Sequence, residues 1–283
     1  MTDDAVPSLL AGLVDDAGLF PPEELKMPAA VARHRRDEAV GSPVLSGRFV
    51  CPAARLAELL AELAPAEGLR LALVTPLEAG ALHASLDRIR GDSRVTLAGV
   101  EGPLGEIAAL AEVPDGVPCY AEIPVTGAWQ GPLGDIAAAG RAAKARCGGL
   151  RAELFPTAAQ LGEFVHACAQ ANVPFKATAG LHHALPYTDE RTGFGHHGFL
   201  NLLLAACRAA DGAAAGDVAA VLRVTDAAAL VAEVAGTPPD LAARARALFT
   251  GYGSCSTSEP AEDLRTLGLL GGAGRMTATE VTG

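Results

Sequence analysis

The stretch "AAKARCGGLRAELFPTAAQLGEFVHACAQANVPFKATAGL", residues 142–181, holds two short apolar runs separated by a helical pattern. The runs at 142–150 and 173–181 carry glycine at their C-terminal side, whereas residues 157–171 repeat apolar side chains at helical spacing. A strand, a helix and a second strand in this order predict two parallel strands joined by a right-handed crossover.

The same alternation extends over the rest of the chain. Eight apolar runs lie at 13–20, 47–52, 69–76, 95–103, 117–125, 142–150, 173–181 and 247–254. Eight such units in 283 residues predict the α/β class, as a single (β/α)8 TIM barrel that spans 1–283. The glycine fingerprint of a dinucleotide-binding fold does not follow the first run, which argues against an open doubly wound sheet.

Two segments depart from the simple repeat. The segment 211–239 is too long for one crossover helix, so we expect extra helices between strands seven and eight. The last ten residues are expected to be flexible.

Charge and composition restrict the class of partner. The formal net charge of -11 argues against a nucleic-acid surface or an anionic-membrane anchor, because both need clustered basic residues. The N-terminus "MTDDAVPSLL" carries two aspartates where a signal peptide would be positive, and no apolar run approaches the roughly 18 residues of a membrane helix. We therefore expect a cytoplasmic protein with a small-molecule substrate and neither nucleic acid nor membrane as partner; assembly into a homo-oligomer stays open.

The six cysteines form no CxxC pair and show no zinc-type spacing. They are predicted to be reduced thiols that pack as small apolar side chains. The roles of Cys51, Cys147 and Cys255 stay open, because each falls where a predicted strand ends.

Polar side chains gather at the C-terminal ends of the predicted strands, where barrels of this kind carry their chemistry. They are Asp15, Asp16, Glu101, Glu122, Lys144, Arg146, Lys176 and Thr178. Because side chains alternate along a strand, Lys144 and Arg146 share one side and the intervening Ala145 faces the other. We therefore expect the charged side chains to point into the barrel.

Lysine is rare in this chain, which makes its positions informative. The three lysines are Lys26, Lys144 and Lys176, and the last two lie inside apolar strands. Burial and a neighbouring cation both lower the pKa of a lysine, and a neutral lysine can attack a carbonyl to form a Schiff base. The alternative is that each strand lysine is a structural ion-pair partner of Glu101 or Glu122.

The pair "AAKARCGGL" and "VPFKATAGL" resembles strands six and seven of class I aldolases of the deoxyribose-phosphate aldolase type. The resemblance implies that Lys144 forms the Schiff base and that Lys176, on the next strand, lowers its pKa. The run that usually follows the nucleophile in that family is replaced here by "KARCGG", and a "TAG" run follows Lys176, so the reverse assignment stays open. The run "FKATAGLHH" also resembles one in actinobacterial barrel proteins to which no function is attached.

Four of the seven histidines lie between residues 173 and 203. His182 and His183 follow strand seven directly and, like Glu122, are candidates for proton transfer. His196 and His197 lie in "GFGHHGFLN", residues 193–201, which we expect to cover the substrate as a lid.

An anion site is expected in the loops after strands seven and eight, where glycines, hydroxyls and a helix start occur together. Arg146 is a candidate for a bidentate contact to a carboxylate or phosphate. The remaining candidate substrate-binding residues are Asp16, Glu101, Thr178, Gly180, Gly253, Ser254, Ser256, His196 and His197.

These features predict an aldolase or lyase that acts on a small, possibly phosphorylated hydroxy-carbonyl compound through a lysine Schiff base, without a cofactor. One alternative is a lyase or isomerase of a keto acid or sugar that uses Mg²⁺ or Mn²⁺ held by Glu101, Glu122 and Asp16. Another is a barrel that binds a ligand without turning it over.

Overall fold

The computed structural model describes residues 7–75, 79–103 and 113–271. Within them, eight parallel strands close into a barrel, in which β10 lies between β7 and β1. The barrel strands are β1 (Val14–Asp16), β2 (Leu45–Pro52), β3 (Leu69–Val74), β4 (Val95–Pro103), β5 (Cys119–Ile123), β6 (Ala142–Arg146), β7 (Phe175–Thr178) and β10 (Phe249–Ser254). The predicted (β/α)8 barrel is confirmed, whereas the prediction for the last ten residues lies outside the described residues.

Helices surround the barrel between successive strands. They are α1 (Met27–Val40), α2 (Leu56–Glu62), α3 (Ala79–Arg90), α4 (Gln130–Ala138), α5 (Ala158–Gln170), α6 (Phe199–Ala210), α7 (Ala215–Val221), α8 (Ala227–Gly236), α9 (Pro239–Leu248) and α10 (Ser258–Thr266). A short antiparallel pair, β8 (Tyr187–Thr188) and β9 (Gly195–His196), lies between β7 and α6. No described helix is both long and apolar enough to cross a membrane.

The extra helices between β7 and β10 shield α6. The sequence of α6, "FLNLLLAACRAA", is apolar on nearly every side, a pattern typical of a helix buried all round. It packs against α5, α7, α8 and α9, and Asn201 Nδ2 donates to the carbonyls of Val221 (2.7 Å) and Val224 (2.8 Å) at the end of α7. Helices α7 and α8 fall within the segment 211–239 that the sequence assigned to added helices.

Side chains alternate between the two faces of the barrel wall as expected. Phe175 of β7 faces outwards, where its ring lies 5.8 Å from that of Phe164 in α5. Inside the barrel, β1–β3 contribute a small apolar cluster of their own that includes Ala17, Val50 and Ala72. Val50 pairs with Ala72 across β2 and β3.

The loops after β6 and β7 touch through their backbones. Gly180 has a φ of +73°, and a Cβ at this position would lie 2.6 Å from the carbonyl oxygen of Cys147. A Cβ on Gly148 would lie 2.8 Å from Gly180 Cα. Only glycine fits at Gly180, because a side chain there would combine backbone strain with a steric clash.

Candidate active site

The two strand lysines are neighbours. Lys144 pairs with Lys176 across β6 and β7, and Glu122 pairs with Lys144 across β5 and β6. Because these residues are in register in adjacent parallel strands, their side chains point to the same side, the barrel interior. The expected adjacency of the two lysines is present.

Lys176 is held between two buried carboxylates. Its Nζ donates to Asp15 Oδ2 at 2.7 Å and to Glu101 Oε1 at 2.5 Å, and it lies 5.4 Å from the ring centroid of Tyr120. Burial acts to lower the pKa of Lys176, but the carboxylates of Asp15 and Glu101 outweigh it and raise the pKa above its usual value. Lys176 is therefore an ammonium group at neutral pH.

Glu101 bridges the two lysines. Its Oε1 contacts Lys176, while its Oε2 lies 2.9 Å from Lys144 Nζ. Burial acts to raise the pKa of Glu101, but the ammonium of Lys144, followed by that of Lys176, lowers it to about 2. Both oxygens of a buried carboxylate are thus neutralised by different cations.

Lys144 has a second carboxylate partner nearer to solvent. Glu122 Oε2 lies 3.2 Å from Lys144 Nζ, and Glu122 Oε1 accepts a hydrogen bond from Arg146 Nε at 2.7 Å. Burial acts to raise the pKa of Glu122, but Lys144 and Arg146 together lower it. The Glu122 side chain is 26% exposed and that of Arg146 38%, whereas the Lys144 side chain is only 7% exposed.

The chain of ion pairs continues past Lys176 to the opposite end. Asp15 Oδ1 accepts hydrogen bonds from Arg48 Nε at 2.7 Å and from Ser46 Oγ at 2.6 Å. We call the whole series the charge ladder; its members in order are Arg48, Asp15, Lys176, Glu101, Lys144, Glu122 and Arg146. Signs alternate along the charge ladder, so every buried charge lies between opposite charges, which offsets its desolvation.

The charge ladder ends in a cavity of about 250 Å³. The cavity is lined by Pro103, Glu122, Pro124, Val125, Thr126, Arg146 and Leu154. Glu122 and Arg146 supply its charged groups, and Lys144 lies directly behind Glu122. A cavity of this volume, with a few polar groups on an apolar lining, suits a small molecule that carries an anionic group.

Of the two neighbouring aspartates in β1, the one that faces the barrel interior is not the one that the sequence predicted for the site. The sequence selected Asp16 for the site, but Asp15 occupies the charge ladder. The Asp16 carboxylate contacts Arg33 and lies 3.2 Å from His34 Nδ1, both in α1. Adjacent residues of a strand point to opposite sides, so only one aspartate can face the interior.

The side chains expected to hold a divalent metal already have other partners. Asp16 faces α1, and both oxygens of Glu101 are bound to ammonium groups. Within the ranges that the structure describes, no three His, Cys, Asp or Glu side chains are grouped so as to hold a metal ion. A Mg²⁺ ion on Glu101 and Glu122 would have to displace Lys144.

His182 and His183 face α10. His182 Nδ1 lies 3.8 Å from Cys255 Sγ and 3.4 Å from Glu259 Oε2. His183 Nδ1 lies 3.2 Å from Asp263 Oδ2. In the described part of the chain, no contact joins either histidine to Lys144 or Lys176, so their predicted role in proton transfer has no geometric support.

His196 and His197 attach the β8–β9 pair to neighbouring loops. The ring of His196 stacks on Tyr187 at 4.5 Å, and its Nδ1 lies 3.0 Å from the carbonyl oxygen of Gly180. His197 is buried, with Nε2 2.7 Å from the carbonyl oxygen of Pro156. Substrate contact by these histidines and movement of a lid stay predictions.

The hydroxyls expected to bind an anion are engaged near the start of α10. Ser254 Oγ donates to the carbonyl oxygen of Ser256 at 2.6 Å, and Ser256 Oγ accepts from the backbone N–H of Glu259 at 3.3 Å. Thr178 and Gly253 are in register across β7 and β10 at the same end of the barrel. These contacts organise the turn into α10, and anion binding there stays a prediction.

Sequence reasoning missed three residues of the site: Arg48, Tyr120 and Glu259. Alternation along the second apolar run could have identified Arg48. It lies two residues before Val50, and the apolar Phe49 between them faces the other side, so Arg48 and Val50 point to the same side of the strand. Tyr120 reads as an ordinary strand residue, and Glu259 as a solvated residue of a first helical turn.

Comparison with known proteins does not assign the chain to a family. No protein-family model matches the chain, and no curated protein matches it significantly. The functional conclusion therefore depends on the fold and on the geometry of the site.

Proposed function

We propose that this protein is a lyase of the aldolase type, in which Lys144 forms an imine with the carbonyl group of a small anionic substrate. The observation that carries the proposal is the series Lys144, Glu122, Arg146, which leads from the barrel interior to the cavity. It combines a nucleophile, a proton acceptor and an anion-binding group within one line of contacts.

Lys144 is better suited than Lys176 to be the nucleophile. Lys176 is locked between Asp15 and Glu101 and keeps its charge. Lys144 shares Glu101 with Lys176, so that carboxylate holds each ammonium less strongly than it would hold one alone. The other partner of Lys144, Glu122, lines the cavity, so Lys144 is also the lysine nearer to a bound substrate.

Glu122 is positioned to take the proton that Lys144 must lose. Its Oε2 is 3.2 Å from Lys144 Nζ, and it lines the cavity. The free amine then attacks the carbonyl carbon. The carbonyl oxygen takes one proton from the attacking nitrogen and one from Glu122, now a carboxylic acid, and leaves as water, so that a protonated imine remains. The resulting imine withdraws electrons from the adjacent carbon, which promotes cleavage or formation of a carbon–carbon bond there.

Arg146 supplies the positive charge at the cavity. Only its Nε is used by Glu122 in the observed contact, which leaves the two terminal nitrogens to face a carboxylate or phosphate. The substrate class that fits is therefore a small aldehyde or ketone with an anionic group.

The test is reductive trapping with sodium borohydride. The protein is incubated separately with pyruvate, glyceraldehyde 3-phosphate and dihydroxyacetone phosphate, reduced, and analysed by intact-mass and peptide mass spectrometry. We expect a stable adduct on Lys144 with at least one of them. Lys144→Met should abolish the adduct, and the matched variant Lys26→Met, at an exposed lysine, should retain it. Adducts spread equally over the lysines, or none with a wider panel of small anionic carbonyl compounds, would contradict the proposal.

A second candidate is enolisation without an imine. It is favoured by the two carboxylates that contact Lys144 Nζ, Glu101 at 2.9 Å and Glu122 at 3.2 Å, because they place a proton acceptor directly beside this nitrogen. In this mechanism Glu122 removes a proton next to the carbonyl group, and the Lys144 ammonium stabilises the oxyanion that forms. Exchange of that proton in deuterated water, insensitive to borohydride and lost in Glu122→Gln, would select it. A change in melting temperature with ligand, but neither adduct nor exchange, would indicate a binding protein.

A further inference from the structure

A second polar cluster lies outside the charge ladder, where β7 and β10 end. It consists of Cys255, which follows β10, His182, which follows β7, and Glu259 in the first turn of α10. Cys255 Sγ is 3.8 Å and Glu259 Oε2 is 3.4 Å from the same atom, His182 Nδ1. The proposed imine chemistry uses none of the three.

This arrangement differs from the relay of a hydrolase. In a relay the nucleophile and the carboxylate contact opposite nitrogens of the imidazole, so that the ring passes a proton between them. Here sulfur and carboxylate share one nitrogen, which suits an imidazolium ion that interacts with both. Hydrogen bonding to the Cys255 sulfur, and then to the Glu259 carboxylate, raises the pKa of His182 to about 10.

Two further features define the surroundings of Cys255. Cys255 lies just before the N-terminus of α10, where the helix dipole is positive. Its carbonyl oxygen also accepts a hydrogen bond from Arg33 Nη1 at 2.6 Å, which fixes the backbone of the residue. The other ring and charged groups around His182 are His196, whose ring centroid is 6.1 Å away, and His183.

The remaining cysteines provide an internal comparison. All six are buried free thiols. Burial raises the pKa of the Cys51, Cys147 and Cys207 thiols to about 12, and it raises those of Cys119 and Cys168 as well. These five are expected to stay protonated and unreactive at neutral pH.

We propose that Cys255 is a site of reversible oxidation by small hydroperoxides. The Cys255 residue is 6% exposed and the His182 side chain 20%, so the site admits a molecule the size of hydrogen peroxide more readily than a bulky reagent. The thiolate attacks one peroxide oxygen and the O–O bond breaks. The other oxygen leaves with the bonding electron pair and takes a proton from His182. Sulfur loses two electrons to become a sulfenic acid, and the peroxide is reduced to water or an alcohol.

The experiment measures sulfenic acid at each cysteine of the full-length protein. Hydrogen peroxide is added for set times, excess peroxide is removed, the protein is unfolded in the presence of dimedone so that every sulfenic acid is reached, and labelled peptides are quantified. Cys255 should label about ten-fold faster or more than any of the other five. Cys119 is the sharpest comparison, because Arg141 Nη1 lies 3.4 Å from its sulfur, yet burial still raises the pKa of its thiol. Dithiothreitol added after a short exposure without dimedone should restore the thiol.

Variants test whether the reactivity of Cys255 depends on His182 and Glu259 or only on the exposure of its sulfur. His182→Gln and Glu259→Gln should slow labelling of Cys255, while Cys147→Ser, at another strand end, should leave it unchanged. The melting temperature of each variant is measured alongside. Equal labelling of several cysteines in the wild-type protein would overturn the proposal, as would an unchanged rate at Cys255 in a His182→Gln variant with wild-type melting temperature.

Discussion

The barrel interior has two unlike halves. On the side of β1–β3, Val50 and Ala72 fill it with apolar side chains, together with Ala17. The charge ladder begins beside this cluster, at Arg48 of β2 and Asp15 of β1, and crosses the rest of the interior through β4–β7 with alternating acids and bases. Both halves belong to the same closed barrel, so fold geometry alone does not require charges.

If the proposed function holds, this difference marks where it has shaped the sequence. Apolar side chains fill a barrel interior without a desolvation cost. A buried ion pair carries that cost, and replacing it by apolar residues is often neutral or stabilising. A series of seven charges is therefore poorly explained by stability alone. The opening of the charged half to the cavity, through Glu122 and Arg146, agrees with a chemical role.

Removing one charge from the middle of the ladder should have the largest effect. Lys176→Met leaves Asp15 and Glu101 buried without their shared cation, and we expect a loss of about 3–5 kcal/mol in unfolding free energy. Urea denaturation measures it, with Lys26→Met as the control that should change little. A loss below about 1 kcal/mol would mean that water or a rearranged partner already compensates these acids.

Acid should reduce the stability that the charge ladder contributes to the fold, and not the stability that the apolar cluster contributes. The folded protein keeps Glu101 ionised down to about pH 2, whereas the unfolded chain protonates it near its ordinary pKa of 4.5. A lowered folded-state pKa stabilises the fold above about pH 4.5, and that stabilisation, on the order of 3 kcal/mol, is lost as the pH falls towards 2. Asp15 and Glu122, whose pKa values are also lowered, act in the same direction. Urea denaturation between pH 6 and pH 3 should show the decline, and a Glu101→Gln variant should show a shallower one.

Shortening a side chain in the apolar half should lower the unfolding free energy by less than removing a buried charge does. The size of this effect should not depend on pH. Val50→Ala removes two buried methyl groups, so we expect a loss of about 1–2 kcal/mol in unfolding free energy. The difference from wild type should be the same at pH 6 and pH 3. A difference that varies with pH would show that the two halves are energetically coupled.

The cavity end of the charge ladder should matter least for stability. The Arg146 side chain is 38% exposed, so Arg146→Gln should change the unfolding free energy by less than about 1 kcal/mol. If the proposed function holds, the same variant should raise the concentration of anionic carbonyl compound needed for half-maximal trapping about ten-fold or more. A large loss of stability with unchanged trapping would reverse this assignment.

The sequence predicted most securely those features of the site that follow from strand periodicity, namely which side chains share a side and which strands are neighbours. Alternation along the sixth and seventh runs predicted that Lys144 and Lys176 would share a side, and the parallel repeat predicted that they would be neighbours. The first run was harder, since it contains two aspartates and the strand is only Val14–Asp16 rather than 13–20. The N–H of Gly18 donates to Asp16 Oδ1 at 3.1 Å just after the strand ends, a local contact that periodicity does not reveal.

The contacts of the histidines could not be predicted, for a different reason. Their position after β7 is at the expected end of the barrel, but the direction of a loop side chain depends on what packs against it. Asp263 in α10 accepts a hydrogen bond from the backbone N–H of Ala184 at 2.7 Å and also contacts His183. That partner lies 80 residues further along the chain, so no local pattern could identify it.

The contact between Gly148 and Gly180 has a stereochemical consequence. The loops after β6 and β7 are closed against each other so tightly that not even a methyl group fits between them. If the proposed imine forms on Lys144, its substrate approaches from the β5 side, where Glu122 and the cavity lie, and not between the two loops. We then expect a planar carbon next to the imine to be attacked mainly from the cavity side, so that two achiral residues bias the handedness of the product.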